Sequence, residues 1–184
     1  LNGNTSGAIN ASSINTLNSD TYDSLNTAYT AAGNGKITGL GDEAITVNTR
    51  IRASEANTLN SNTSGVVTAS VTDSDGTGNL SISNALTING TGNAYSITTR
   101  DRTVSTTDLL SIDQLTTITI NASRITTLTG TYASIITAYM AETAGTITGL
   151  GTNVSFITSG SITVAEANTL SAIITNNNRN LTAT

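Results

Sequence analysis

Ile51-Arg52-Ala53-Ser54-Glu55-Ala56-Asn57-Thr58-Leu59-Asn60-Ser61 returns 111 positions later as Ile162-Thr163-Val164-Ala165-Glu166-Ala167-Asn168-Thr169-Leu170-Ser171-Ala172. About 42 positions upstream of each copy stands a related segment, Ile9-Asn10-Ala11-Ser12 or Ile120-Asn121-Ala122-Ser123. Coincidence at apolar, Gly and polar positions together marks an internal repeat, and a repeat identifies an architecture before it identifies a chemistry. Long units begin at Leu1, Leu59, Ile112 and Leu170, giving repeats over 1–58, 59–111 and 112–169 and a partial unit over 170–184 within a single segment.

A finer period runs inside the units. Short segments rich in Ile, Val and Thr start near Gly7, Gly35, Gly65, Ala94, Thr117 and Gly145, at gaps of 28, 30, 29, 23 and 28 residues. Such spacing predicts a right-handed, mainly parallel β-solenoid of about six coils over 7–172, with short helices in the return segments. Composition agrees with a thin core: 36% of residues are hydrophobic, 3% aromatic, and there is a single Met. Disorder is disfavoured because only 10% of residues are charged, with a net charge of −5, whereas disordered chains combine low hydrophobicity with high net charge.

Helical return segments carry their own signals. Ser54 reads as an N-cap, followed by Glu55 in the first turn and by Ala56 and Leu59 three apart on one face. Ala165–Leu170 repeats the pattern and continues to Ile173 and Ile174, and Thr107-Asp108-Leu109-Leu110-Ser111-Ile112 is the second unit's version. A longer helix is predicted over 21–32, with Tyr22, Leu25 and Tyr29 on one face; its copy brings Tyr132, Ile135, Ile136, Tyr139 and Met140. These tyrosines read as cover for the core, with a sugar-stacking platform as the alternative. Gly41 and Gly151 are expected at positive φ. Between Val71 and Thr103 the segments Leu80-Ser81-Ile82-Ser83 and Leu86-Thr87-Ile88-Asn89 alternate, and predict an all-β coil.

The clearest ligand signal is Asp73-Ser74-Asp75-Gly76-Thr77-Gly78-Asn79. Carboxylates at alternate positions before a glycine suit calcium, so Asp73, Asp75 and Asn79 are the candidate ligands. The loop lacks a third acid and the bidentate glutamate of a complete EF-hand loop, and reads first as a polar turn that needs no cofactor. Asp42-Glu43, beside Gly41, reads as a solvated corner, where the other copy has Thr152-Asn153. Thr38, Thr68 and Thr148 occupy matching strand positions, with Thr98 and Thr119 near the same column and Asn10 in the first copy. A flat Thr face of that kind is the basis of an ice- or glycan-binding alternative.

Several classes lose support. Absence of His and Cys removes the usual nucleophilic triads and the commonest metal ligand. Paired acids for glycoside hydrolysis need a cleft that nothing in the spacing shows, which leaves a polysaccharide-active enzyme the least favoured reading. Seven scattered basic residues make no footprint for nucleic acid or an anionic membrane, and no apolar run approaches the ~20 residues of a spanning helix.

Leu128-Thr129-Gly130-Thr131-Tyr132-Ala133-Ser134-Ile135-Ile136-Thr137-Ala138-Tyr139, then Ile147-Thr148-Gly149-Leu150-Gly151, then Glu166-Ala167-Asn168-Thr169-Leu170 resembles the tandem Thr/Asn/Ala-rich repeats of very large secreted or surface proteins of cyanobacteria and other marine bacteria, and is similar to repeats of phage tail fibres. The resemblance implies a non-catalytic structural or adhesive role outside the cell, and transfers no catalytic residue. Expected partners are the chain itself, end to end or laterally, neighbouring repeats of a longer array, and surface glycans.

Overall fold

A computed structural model describes residues 6–73, 78–151, 154–175 and 181–183. Asp75, the Thr152-Asn153 pair and the opening Leu1 of the first unit lie outside the described residues. In chain order the elements are β1 (Ile9–Asn10), β2 (Thr16–Ser19), α1 (Tyr22–Gly33), β3 (Ile37–Thr38), β4 (Ala44–Ile51), α2 (Ala53–Asn62), β5 (Val67–Val71), α3 (Ile82–Ala85), β6 (Ala94–Ile97), β7 (Thr103–Ser105), α4 (Thr106–Asp113), β8 (Ile120–Asn121), β9 (Thr127–Gly130), α5 (Tyr132–Ala144), β10 (Ile147–Thr148), β11 (Ser155–Thr158), α6 (Val164–Thr175) and β12 (Leu181–Ala183).

The expected β-solenoid is not what these elements make. The protein is an α/β fold with six helices among the described residues and four separate parallel sheets: β1-β3, β8-β10, β2-β4-β5-β6 and β7-β9-β11-β12. All six segments found by the period are strands, yet they fall in three different sheets, with β1 and β3 in one, β5 and β6 in another, and β8 and β10 in a third. A recurrence of about 28 residues measures the length of strand plus helix plus connections. It does not say which strand is the neighbour. The helices are also larger than short returns, since α1 has 12 residues and α5 has 13.

Local chemistry explains the helix starts. Thr21 and Thr131 cap α1 and α5, their Oγ1 atoms accepting from the amides of Ser24 and Ser134 at 3.4 and 3.2 Å. Helix α6 begins with a full reciprocal box: the Thr163 amide donates to Glu166 Oε2 at 2.7 Å and the Glu166 amide to Thr163 Oγ1 at 3.2 Å. Those bonds from Thr163 hold the Glu166 carboxyl below its ordinary value. Ser54 is not the N-cap of α2, because Glu55 reaches back to the Arg52 amide at 2.8 Å and the helix starts two residues earlier than a Ser54 cap implies, at Ala53.

The middle unit is likewise not all-β. Ile82–Ala85 is the short helix α3, with Ser81 as its N-cap, and Ile82 and Ala85, three apart, are both buried. Alternation over Leu80-Ser81-Ile82-Ser83 mimics a strand; acceptors from elsewhere in the chain decide otherwise, since Asp101 Oδ2 takes the Ile82 amide at 2.6 Å.

One continuous core joins both kinds of element. Leu17, Ile45 and Val67 stand in register across β2, β4 and β5, as Val104, Leu128 and Phe156 do across β7, β9 and β11. Helices close it with Leu25, Ala56, Leu59, Leu109, Ile112, Ile135 and Leu170. Burying a Leu or Ile contributes roughly 1.5–3 kcal/mol, so few large side chains suffice where each is fully covered. Met140 departs from the expected helix face and is 65% exposed.

The repeat is visible in detail at two equivalent corners. Asn10 Oδ1 accepts the Ser12 amide at 3.0 Å, and Asn121 Oδ1 accepts the Ser123 amide at the same distance. Gly39 (φ 81°) and Gly149 (φ 85°) then pack on the Ser12 and Ser123 backbones. Gly41 has the expected positive φ, at 136°, but in the other copy it is Gly149 and not Gly151 that has one.

Candidate functional site

Strand β5 runs out at Val71, and Thr72 and Asp73 carry the chain into the loop that leads to α3. The base of the loop is closed by the Asp73 amide, which donates to the Asn79 carbonyl at 2.8 Å. Asp73 and Asn79 are each 9% exposed, so both are drawn into the body of the protein. Asp73 Oδ2 accepts the Ser81 amide at 3.0 Å and lies 3.0 Å from Arg100 Nη1; Oδ1 accepts from Asn84 Nδ2 at 2.7 Å and from Ser81 Oγ at 3.4 Å.

A carboxylate offers about four lone-pair sites, and these four donors meet them. Arrangement of this kind fixes the entry to α3 and ties it to the segment after β6. Two cavities of about 190 and 310 Å³ open beside it, sharing Arg52, Thr72 and Asp73. Among the described residues, no three His, Cys, Asp or Glu side chains converge in a way that could hold a metal ion. Asp73→Ala is expected to destabilise by about 2–4 kcal/mol, because the Ser81 amide and the Asn84 amide group lose a buried acceptor. Urea unfolding measures the loss, and the wild-type midpoint is expected to be the same in calcium and in chelator.

The threonines are not brought together. Thr38 pairs with Asn10 in β1-β3, Thr148 with Asn121 in β8-β10, and Thr68 with Thr46 inside the four-stranded sheet. Thr98 bridges to Asn121 and so shares a row with Thr148. Thr119 Oγ1 donates to the Gly145 carbonyl at 2.7 Å. Thr38, Thr68 and Thr148 therefore belong to three sheets.

Asp42-Glu43 divides in two. Asp42 is exposed, but Glu43 is fully buried, which corrects its reading as a solvated corner. Its Oε1 accepts from the Tyr29 hydroxyl, and its Oε2 from the Gly41 and Asp42 amides at 2.8 and 3.3 Å. Burial opposes the charge, but the Tyr29 hydroxyl and the neighbouring amides outweigh it and hold the carboxyl below its ordinary value. Burial, then the Glu43 carboxylate, pushes the Tyr29 hydroxyl up. In the other copy Tyr139 donates instead to the Leu150 carbonyl at 3.3 Å and meets Phe156 edge-on, ring centres 5.3 Å apart. Val154 stands two residues before Phe156, as Glu43 stands two before Ile45, and it is buried without a charge.

Tyr95 is the remaining buried polar group of note. Its ring is fully enclosed, its hydroxyl has no hydrogen-bond partner among the described residues, and burial pushes it up to about 12. Sequence reasoning missed Glu43, Arg100 and Asp101; the run Arg100-Asp101-Arg102, in a chain with 10% charged residues, was the available signal for the last two. Comparison with known protein families, with characterised proteins and with solved structures returns no match.

Proposed function

We propose that the chain is a non-catalytic structural and adhesive module acting outside the cell, as part of a fibre, filament, surface layer or adhesin stalk. The observation that carries this reading is the recurrence of one supporting device at Asn10, Ser12 and Gly39 and again at Asn121, Ser123 and Gly149. Selection for a repeated scaffold preserves packing and hydrogen bonds of this sort. Among the described residues the buried acids Asp73 and Glu43 are engaged with backbone and side-chain donors that hold loops and helices in place. That use suits a mechanical part better than acid–base chemistry, which needs a carboxyl facing a substrate.

Antibody raised against the folded chain tests the reading on intact cells of the source organism. Labelling without permeabilisation is the expected result. Labelling that requires permeabilisation would overturn the extracellular placement.

A further inference from the structure

The cavities beside Asp73 are lined by charged groups, among them Arg50, Arg52 and Glu55. Another hollow, of about 360 Å³, lies over the carboxyl ends of β7, β9 and β11, and none of the described residues lining it is charged. Ligands of open parallel sheets collect at the carboxyl ends of the strands, and this volume falls in the roughly 300–1,000 Å³ range of small-molecule sites. Its walls are the interior segments 105–107, 129–131 and 157–159.

Alternation along the strands builds the floor. Val104, Leu128 and Phe156 stand in register and are buried, so Ser105, Thr129 and Ile157, each one residue further on and also in register, face outward in a row. Strand spacing sets neighbours in that row about 4.7–4.9 Å apart. The walls are fixed by bonds within the chain: the Ser159 amide donates to the Gly130 carbonyl at 2.8 Å, and Thr106 Oγ1 lies 3.3 Å from the Thr129 carbonyl and 2.6 Å from Ser134 Oγ. A ligand there meets a surface already in place.

Unspent hydroxyls face the hollow. Thr131 Oγ1 caps α5, but Ser105, at the N-cap of α4, makes no capping bond with its side chain. Thr107, Thr129 and Ser159 likewise bring hydroxyls that bond to no protein group among the described residues. A hydroxyl both donates and accepts, and these four surround the side chain of Ile157, which is 38% exposed. A pyranose ring offers the same two features in return, hydroxyls around an apolar C–H face. A phosphate or a metal ion would find no countercharge among the lining residues.

We propose that the hollow between β7, β9 and β11 binds one neutral pyranose unit of a glycan, with Ser105, Thr107, Thr129 and Ser159 bonding to its hydroxyls and Ile157 covering its C–H face. The site rests on the adhesive part of the module reading and names the class of partner. With no aromatic ring among the lining residues, a single site binds weakly, in the millimolar range.

Amide NMR of the full chain tests it by titration with the methyl glycosides of glucose, galactose and mannose, with cellobiose, lactose and mannobiose, which carry the same three sugars at their non-reducing ends, and with glucuronate and inorganic phosphate. At least one neutral sugar is expected to give saturable shifts at Thr129, Gly130, Thr131 and Ser159. Thr129→Val keeps the shape and removes one hydroxyl, and is expected to weaken that binding about 3- to 10-fold; Ile157→Asp abolishes it. Thr127→Val, in the outward row with Thr103 and Ser155 and outside the hollow, binds like wild type, and circular dichroism is unaltered in all three variants. No saturable shift with any neutral sugar overturns the site, as does a Thr129→Val variant that binds like wild type. Shifts with phosphate or glucuronate alone overturn it in favour of an anion site. A disaccharide that binds worse than its methyl glycoside overturns the glycan in favour of a free monosaccharide. Surface labelling of intact cells without sugar binding would remove this site and leave the module reading standing; sugar binding by a chain labelled only after permeabilisation would do the reverse.

Discussion

Glu43→Ala is expected to lower the unfolding free energy by about 3–5 kcal/mol, as breaking a buried hydrogen-bonded charge cluster does. The side chain is fully buried and accepts from the Tyr29 hydroxyl and from the Gly41 amide at 2.8 Å. Alanine takes this acceptor from the buried Tyr29 hydroxyl and from the partly buried Gly41 amide, and each such loss costs about 1–3 kcal/mol. Tyr29→Phe removes one donor from a carboxylate that keeps its amides, and is expected to cost less, about 1.5–3 kcal/mol. The Glu43→Val/Tyr29→Phe pair removes both partners at once, approximating the apolar Val154 arrangement of the other copy, and should cost less than the two single changes added.

The same cluster sets a pH dependence. Glu43 has a folded-state value below the ordinary 4.5, so the unfolded chain takes up its proton first as pH falls. Its contribution is complete above the ordinary carboxylate range and is lost as pH falls through the lower folded value. Urea unfolding of wild type and Glu43→Ala at a series of pH values is expected to show curves that converge in acid. A constant difference down to pH ~3 would mean that the carboxylate's charge has no part in the stability.

Gly149→Ala carries the second large expected effect, about 3 kcal/mol or more. Gly149 has φ 85°, and a Cβ there would stand 2.7 Å from the Ser123 amide nitrogen and 2.8 Å from its Cα. Both neighbours are backbone, in a corner held by the Asn121 side chain, so neither can turn aside. Gly145, the C-cap of α5, supplies the control: its φ is 83°, and a Cβ added to it meets nothing within 4 Å. Gly145→Ala should therefore cost only the left-handed backbone term of roughly 1–2 kcal/mol. Thermal melts of the two variants compare them directly, and equal losses would exclude the close approach to Ser123 as the cause.

Helices were legible in the sequence because their determinants are local. The apolar spacing of Tyr22, Leu25 and Tyr29 predicts α1 to within a residue at each end. Locality also marks the limit of this kind of reading. Whether β3 joins β1 or β5 depends on where the connections steer the chain, so the period located strands and misassigned their sheets. Leu80-Ser81-Ile82-Ser83 alternates like a strand, but Asp101, from 19 residues away, stabilises the helix start. Asp73 was singled out as a candidate calcium ligand in a polar turn, and its observed partners lie outside that turn. Its partner Arg100 lies beyond the next strand, and no spacing rule reaches that far. Glu43 was read by its charge alone, whereas its environment is made by Tyr29 from the preceding helix.

Strand register has a consequence for how the chain acquires its shape. Among the described residues no strand pairs with one more than 28 positions away, the separation of Ile9 and Ile37 and of Thr127 and Ser155. Each pairing thus closes a loop of similar, modest length, and the entropy of closure does not grow as more layers are added. Assembly can proceed by accretion, with every completed layer serving as the template for the next. A nascent chain of this type needs only its latest 30 or so residues to be free in order to pair its newest strand.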